Sequence, residues 1–246
     1  MKDNSAPLNS LSNKSFSELD GYLNELGMAV LGGFYLRPEE AAQFTRSSGA
    51  VAGLVVSSHG RSMWQVFQKS SFYADQLPNP LDRWTKSVLE KLSLKTRTEL
   101  ALPFDRPFPP IQEWTKRATG ISNSPLGILM HPRYGLWFGL RGVFFFKVNV
   151  ENQDVNKLIH RQFNDNKPCD LCVEKPCLSG CPVSAFDESG LNVNTCFSHL
   201  AKTISSSFEP DCLSNGCAAR EACPVGNEYR YCSEQMHFHM KSYYSS

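Results

Sequence analysis

Residues Cys169–Pro182, CDLCVEKPCLSGCP, decide how the second half of this chain is held together. Cys169 and Cys172 stand three positions apart and Cys177 and Cys181 four, with Pro182 directly after the last. Thiolates three residues apart grip one metal centre from a single turn of backbone. A proline after a ligand turns the chain away from the core it has just ligated. A second set follows at Cys196, Cys212, Cys217 and Cys223, the last again before a proline, Pro224. Two metal centres are the first expectation, with Cys232 left over as a buried or incidental thiol.

The 246 residues suffice for one large domain or two modest ones. Composition favours two unequal parts. All nine cysteines lie between Cys169 and Cys232, whereas all four tryptophans (Trp64, Trp84, Trp114, Trp137) lie before residue 140. The expectation is aromatic packing in the first part and metal in the second. A net charge of +1 gives no field of the size needed to live on nucleic acid or an anionic membrane, so broad capture of RNA is disfavoured. The opening MKDNSAPLNSLSNKS lacks the apolar run of a secretory signal, and no stretch approaches the roughly 18 apolar residues of a membrane helix. A cytoplasmic protein is expected. In that reducing compartment, cysteines this dense point to metal ligation rather than disulfides.

Along the chain, residues 1–14 read as a disordered polar tail. Ser15 and Glu18 form an S-x-x-E capping box ahead of Phe16, Leu19, Leu23 and Leu26 at helical spacing. Ala29–Leu36 is extended and carries Gly32 and Gly33, and Pro38, Glu39 and Glu40 suit the first turn of the next helix. Val51–Val56 has the continuous apolar pattern of a strand buried on both faces. Helices are predicted over 60–73 and 80–93, the second with Trp84, Val88 and Leu92 on one face. Thr98–Pro103 is a further strand, and a short helix ends near Gly120. Leu126–Met130 and Gly142–Val148 read as strands bracketing HPRYGLWFGLR, and residues 149–167 as a linker or connecting helix. On a C-terminal helix, Met236, His237, His239 and Met240 read as packing residues ahead of metal ligands. This alternation predicts a mixed α/β or α+β layer structure.

The first cysteine stretch resembles the ferredoxin iron–sulfur signature. In two-cluster ferredoxins the cysteine before proline ligates the cluster of the other motif. The resemblance thus implies two [4Fe-4S] clusters, one on Cys169, Cys172, Cys177 and Cys223, the other on Cys181, Cys196, Cys212 and Cys217. Two departures stand out: four residues separate Cys172 from Cys177 where the signature has two, and the second set has no CxxC. Zinc, which also takes four thiolates, remains open as a purely structural alternative.

The segment GILMHPRYGLWFGLRGVFFF, residues 127–146, resembles the CblC cobalamin-processing family, with weaker likeness in GLVVSSHGRSMWQVF and LPNPLDRWTKSVLEKL. The resemblance covers roughly residues 28–150. It implies a nitroreductase- or flavin-reductase-like layered domain over residues 15–150 that holds cobalamin through His131, Arg133, Trp137 and Arg141. That family uses glutathione held by arginines, and Arg141 matches one such position; a histidine of the family stands as Arg117 here. His131 has two readings, an axial cobalt ligand or a cap on the strand end. Trp137 and Phe138 read equally as pocket wall or core. Arg141 is expected to be buried and to need an anionic or amide partner. The chain from Lys167 onward is similar to the two-cluster ferredoxin region of epoxyqueuosine reductase, and residues 151–246 are expected to form a ferredoxin-type iron–sulfur domain with its connecting segment. The fold class expected is therefore α+β, a layered domain followed by a ferredoxin-like domain. The function expected is electron transfer from a low-potential donor through the clusters to a bound corrinoid, for cobalamin reduction or removal of its upper ligand. A ferredoxin-like module without corrinoid, a queuosine-type tRNA reductase and a zinc-stabilised binding protein are the alternatives.

Overall fold

The computed structural model describes residues 13–46, 51–147, 153–159, 163, 167–187, 190–205 and 211–245. The expected tail falls outside these up to residue 12, and helix Asn13–Glu25 already includes residues 13 and 14. Ser15 therefore lies inside that helix, so its capping box does not start it. The chain divides into two compact units of mixed α and β structure. One spans Met1–Ser58, Gln65–Gly120 and Gly139–Gln162; the other spans His59–Trp64, Ile121–Phe138 and Phe163–Ser246.

The first unit is built on a four-stranded sheet. Its strands are β1 (Met28–Tyr35), β2 (Val51–His59), β3 (Glu99–Ala101) and the long Phe138–Lys147, in the order β1, β2, Phe138–Lys147, β3. β1 pairs antiparallel with β2, and β3 with Phe138–Lys147. β2 is buried along nearly its whole length, as its unbroken apolar run requires. The register of β1 shifts between Val30 and Gly32. A side chain at Gly32 would meet the Thr119 methyl at 2.8 Å, so glycine lets helix Ile111–Thr119 lie against the strand.

The core around Trp114 shows why this unit holds together. Phe34 stacks on its indole at 5.5 Å, while Phe44 and Phe145 meet it edge-on at 5.1 and 5.5 Å. A buried indole N–H needs an acceptor. Trp114 donates to Glu40 Oε1 at 2.9 Å, whose other oxygen takes Arg117 Nη2 at 2.7 Å and the Arg37 N–H at 2.8 Å. Burial works to raise the Glu40 pKa, but these donors outweigh it and hold the carboxyl below its ordinary value. Helix Pro38–Phe44 thus begins with proline and acid where expected. Helix Pro80–Thr96 buries Leu81, Trp84, Leu89 and Leu92 along one face, while the predicted 60–73 helix is two short ones, Ser62–Phe67 and Ser71–Ala74. Helix Gln153–Ile159, in the connecting region, buries Val155 and Ile159 in this unit.

The second unit has little sheet. β4 (Ser122–Asn123) pairs with β5 (Leu129–Met130), and, beyond β6 (the strand Phe138–Lys147), β7 (Phe186–Asp187) pairs with β8 (Gly190–Leu191). Leu126–Met130 is thus mostly turn, and β6 begins earlier than Gly142. Most of its helices are single turns, such as Pro168–Leu171, Pro176–Ser179, Cys212–Asn215 and Ala218–Glu221. Val193–Ser205 and the C-terminal Ser233–Tyr244 are longer. On the latter, Met236 closes on Gly216 and Phe238 packs on Trp64, so the packing reading of QMHFHM holds. The tryptophans do not all belong with the sheet. Trp64 and Trp137 are core residues of the unit that carries the cysteines.

Candidate functional site

The site is built from the cysteine loops upward. Pro168 opens a single helical turn carrying Cys169, after which the chain runs through Val173 to Lys175. Lys175 adopts a left-handed conformation, φ 42°, which reverses the chain into the turn Pro176–Ser179. That reversal is how the two extra residues between Cys172 and Cys177 are accommodated. Cys177 and Cys223 are buried with Leu126, Met130, Leu136 and Ala219, and Cys169, Cys181 and Cys217 pack against that cluster.

Cys169, Cys172, Cys177 and Cys223 line one cavity of about 230 Å³. Its remaining wall is largely apolar, with Pro168, Pro176 and Pro224 beside the cysteines and Met130 and Leu136 opposite. One water occupies about 30 Å³ in the liquid, so the space exceeds that of a single ion. The partners that act electrostatically on each thiol sort the cysteines the same way. Burial pushes the Cys169 thiol up to about 11, with Cys223, Cys177 and Cys172 adding to it. Cys177 is raised by burial and then by Cys223 and Cys172.

The second set closes on itself. Burial raises Cys212 to about 11, with Cys217, Cys181 and Cys196 contributing, and Cys196 is raised by burial and then by Cys217 and Cys181. Several donors point at these sulfurs. The Ala185 N–H donates to Cys181 Sγ at 3.3 Å, and the N–H groups of Arg220 and Ala219 reach Cys217. Cys232 falls in neither set and opens helix Ser233–Tyr244. Among the described residues, no three His, Cys, Asp or Glu side chains form the ligand group of a metal ion. Four thiolates on one zinc, each about 2.3 Å from it, must crowd together, whereas a cluster interposes its own irons between them. The five thiols that burial raises, Cys169, Cys177, Cys196, Cys212 and Cys217, become thiolates only beside positive charge, which a cluster supplies. The donor set fits that group.

The other expected site residues sit as follows. His131 is buried, and its Nδ1 accepts the N–H groups of Arg133 and Tyr134 at 3.0 and 3.1 Å, which is the capping role. Its ring stacks on Tyr134 at 4.3 Å. Arg133 is exposed and donates to the Tyr229 hydroxyl at 2.6 Å. Trp137 is buried against Tyr231, at 5.3 Å, and Phe138 is buried beside His131. Arg141 is half-buried, not buried, because Gly139 leaves room for its guanidinium to fold back along the strand. Its Nε donates to Ser58 Oγ at 3.0 Å. Burial raises the pKa of Asp82, which Arg141 partly offsets. In the first unit Ser58, Asp82 and Arg141 therefore form a small polar group, of which the sequence reading found one member.

Two other features escaped the sequence reading. Gly135, φ 57°, lies so close to the loop after Cys223 that a Cβ there would stand 2.0 Å from the Val225 carbonyl oxygen. Gly226, φ 73°, is as tightly set against the backbone of Tyr134. The HPRYG loop is itself closed by paired backbone hydrogen bonds between His131 and Gly135 at 3.0 and 2.9 Å. The second feature is Arg220, in the CAAREAC stretch between Cys217 and Cys223. A charged residue midway between Cys217 and Cys223 is the signal that was available.

No protein-family model matches the chain. No curated protein matches it. Two solved structures that are similar belong to the two kinds of protein that the sequence resembles. One is a crystal structure of a B12-trafficking protein CblC of C. elegans, a human MMACHC homologue, at 15% identity and a TM-score of 0.48, covering 93% of this chain and 92% of that one. The other is epoxyqueuosine reductase from Streptococcus thermophilus, at 13% identity and a TM-score of 0.41, covering 86% of this chain and 66% of that one. Among the described residues, no helix is long and apolar enough to cross a membrane.

Proposed function

We propose that this chain is an iron–sulfur redox protein that delivers single electrons to a bound corrinoid, for cobalamin reduction or reductive removal of its upper ligand. Cys169, Cys172, Cys177 and Cys223 hold one [4Fe-4S] cluster, and Cys181, Cys196, Cys212 and Cys217 hold the second. The observation that carries this reading is the cavity shared by Cys169, Cys172, Cys177 and the distant Cys223. That grouping is the crosswise one of two-cluster ferredoxins, in which the cysteine before proline serves the other motif's cluster. When bound, such clusters supply low-potential one-electron transfer, the supply a corrinoid cobalt needs. The finer layout belongs to the same proposal: a nitroreductase- or flavin-reductase-like domain, a ferredoxin-like domain, a cytoplasmic location and a low-potential electron donor.

The chain's own residues do the holding and insulating. A largely apolar lining surrounds the first set of sulfurs, and backbone N–H groups aimed at Cys181 and Cys217 steady thiolate charge in the second. In the first unit Arg141, with Ser58 and Asp82, is the residue we assign to the corrinoid, as a donor to its amide side chains.

Anaerobic purification tests both parts. About eight irons and as many acid-labile sulfides per chain are expected for two four-iron clusters. Iron and sulfide near zero, with one or two zinc ions in their place, overturns the redox reading. Hydroxocobalamin titrated into the same protein should give a spectral shift that saturates near one equivalent, and Arg141→Gln should weaken that binding about tenfold, the worth of one charged hydrogen bond. A titration with no shift removes the corrinoid and leaves an electron carrier.

A further inference from the structure

Arg220 lies on the single turn Ala218–Glu221, three positions after Cys217 and three before Cys223. Its guanidinium is held on several sides. The Nη2 donates to the Leu136 carbonyl oxygen, and the Cζ lies 4.6 Å from the Trp137 ring centre and 4.7 Å from that of Tyr231. Among the described residues its buried Nε has no hydrogen-bond partner. Arg230 approaches the same indole, with Cζ at 5.7 Å, and spends its Nη2 on the Glu221 carbonyl and Asn227 Oδ1. Among the described residues, neither arginine has a carboxylate partner.

Two guanidinium groups on one buried indole, with no acid between them, need negative charge nearby. Stacking on Trp137 contributes attraction but neutralises nothing. The backbone N–H of Arg220 reaches the Cys217 sulfur and its charge acts on that cysteine, whose thiolate would supply the missing negative charge. A four-iron cluster with four thiolates is negative when oxidised and one charge more negative when reduced. A fixed cation beside it favours the reduced form and raises its potential, because net charge is one of the levers that set cluster potentials.

We infer that Arg220, pinned by Leu136 and Trp137, is the counter-charge that sets the reduction potential of the cluster on Cys181, Cys196, Cys212 and Cys217. This rests on the two-cluster reading above and adds a positioning residue to it. Trp137 gains a role in the same step, as the platform that fixes where the charge sits. The role is held within the unit that carries the clusters and requires no contact with a corrinoid.

The test is an EPR-monitored redox titration of the anaerobically purified full chain, comparing wild type, Arg220→Gln and Arg220→Lys. In Arg220→Gln one cluster becomes harder to reduce, its reduced-to-oxidised ratio at a fixed potential falling about tenfold, which is 59 mV for a one-electron couple. The other cluster moves by less. Arg220→Lys keeps the charge and loses the planar fork, so its potentials stay within about threefold of wild type. Unchanged potentials in an iron-replete Arg220→Gln protein overturn the inference. Should Arg220→Gln lose its iron, Arg220→Lys decides: a tenfold shift there marks a structural role and overturns it, and a potential near wild type upholds it. Wild-type protein without iron fails the two-cluster reading instead, so the two failures are distinct.

Discussion

The two units reach stability by different physical routes. In the unit built on the sheet, Trp114 is surrounded by Phe34, Phe44 and Phe145 and its one polar atom is satisfied by Glu40. Burying such aromatic side chains contributes about 1.5–3 kcal/mol each, so this unit draws its stability from packing among its own side chains. Apart from helices Val193–Ser205 and Ser233–Tyr244, the cysteine unit has two-residue strands and helices of about one turn, which cannot stand on propensity or on backbone hydrogen bonds. Its buried cluster has thiols where the other unit has rings. On the proposed reading a metal cluster completes this unit, and its binding is then folding free energy. The difference teaches where damage should spread and where it should stay local.

The largest expected break follows Cys177→Ala. One cluster is lost, iron falls by about half, and the cysteine unit becomes protease-sensitive while the sheet unit keeps its fold. Cys232→Ala, outside both sets, retains full iron; limited proteolysis and iron analysis read both. Next is Gly135→Ala. A left-handed alanine costs about 1–2 kcal/mol, and its Cβ must also displace the Val225 backbone beside Cys223, so a loss of about 3 kcal/mol or more is expected in denaturant unfolding. Gly127→Ala sharpens the point: φ is 79° there but, among the described residues, nothing lies within 4 Å of the added carbon, so only about 1 kcal/mol is lost. The smallest effect is in the sheet unit. Glu40→Gln weakens charged hydrogen bonds from Arg117 and Arg37 and costs about 1 kcal/mol. Because the folded carboxyl titrates below its ordinary 4.5, the wild-type contribution is complete above that pH and is lost as pH falls through the lower folded value. Wild type and variant should converge in acid.

Much of this contrast was legible in residue types and spacing. The continuous run Val51–Val56, the proline and acids of residues 38–40, and Gly120 at a helix end each carry a local backbone preference, and each element appears where that preference put it. The proposed cysteine sets were suggested by Cys-Pro occurring twice in one chain, which has a specific precedent. Long-range partners were not. Nothing local to Trp64 or Trp137 says that they pack on Phe238 and Tyr231. The burial expected of Arg141 failed for a related reason, since flanking apolar residues on a strand point to the opposite face and say little of the guanidinium's own side. Gly135 and Gly226 show the same limit. Each is an ordinary turn glycine in sequence, and only their mutual approach makes them a clamp behind Cys223.

The crosswise assignment of Cys181 and Cys223 is the centre of the account, and the EPR spectrum of dithionite-reduced Cys181→Ala, set beside that of Cys177→Ala, tests it most directly. Although Cys177 and Cys181 are near neighbours in one motif, the two variants should lose different clusters and retain complementary signals that together make up the wild-type spectrum. The same signal surviving in both, or no iron signal at all in a zinc-loaded wild type, would contradict it.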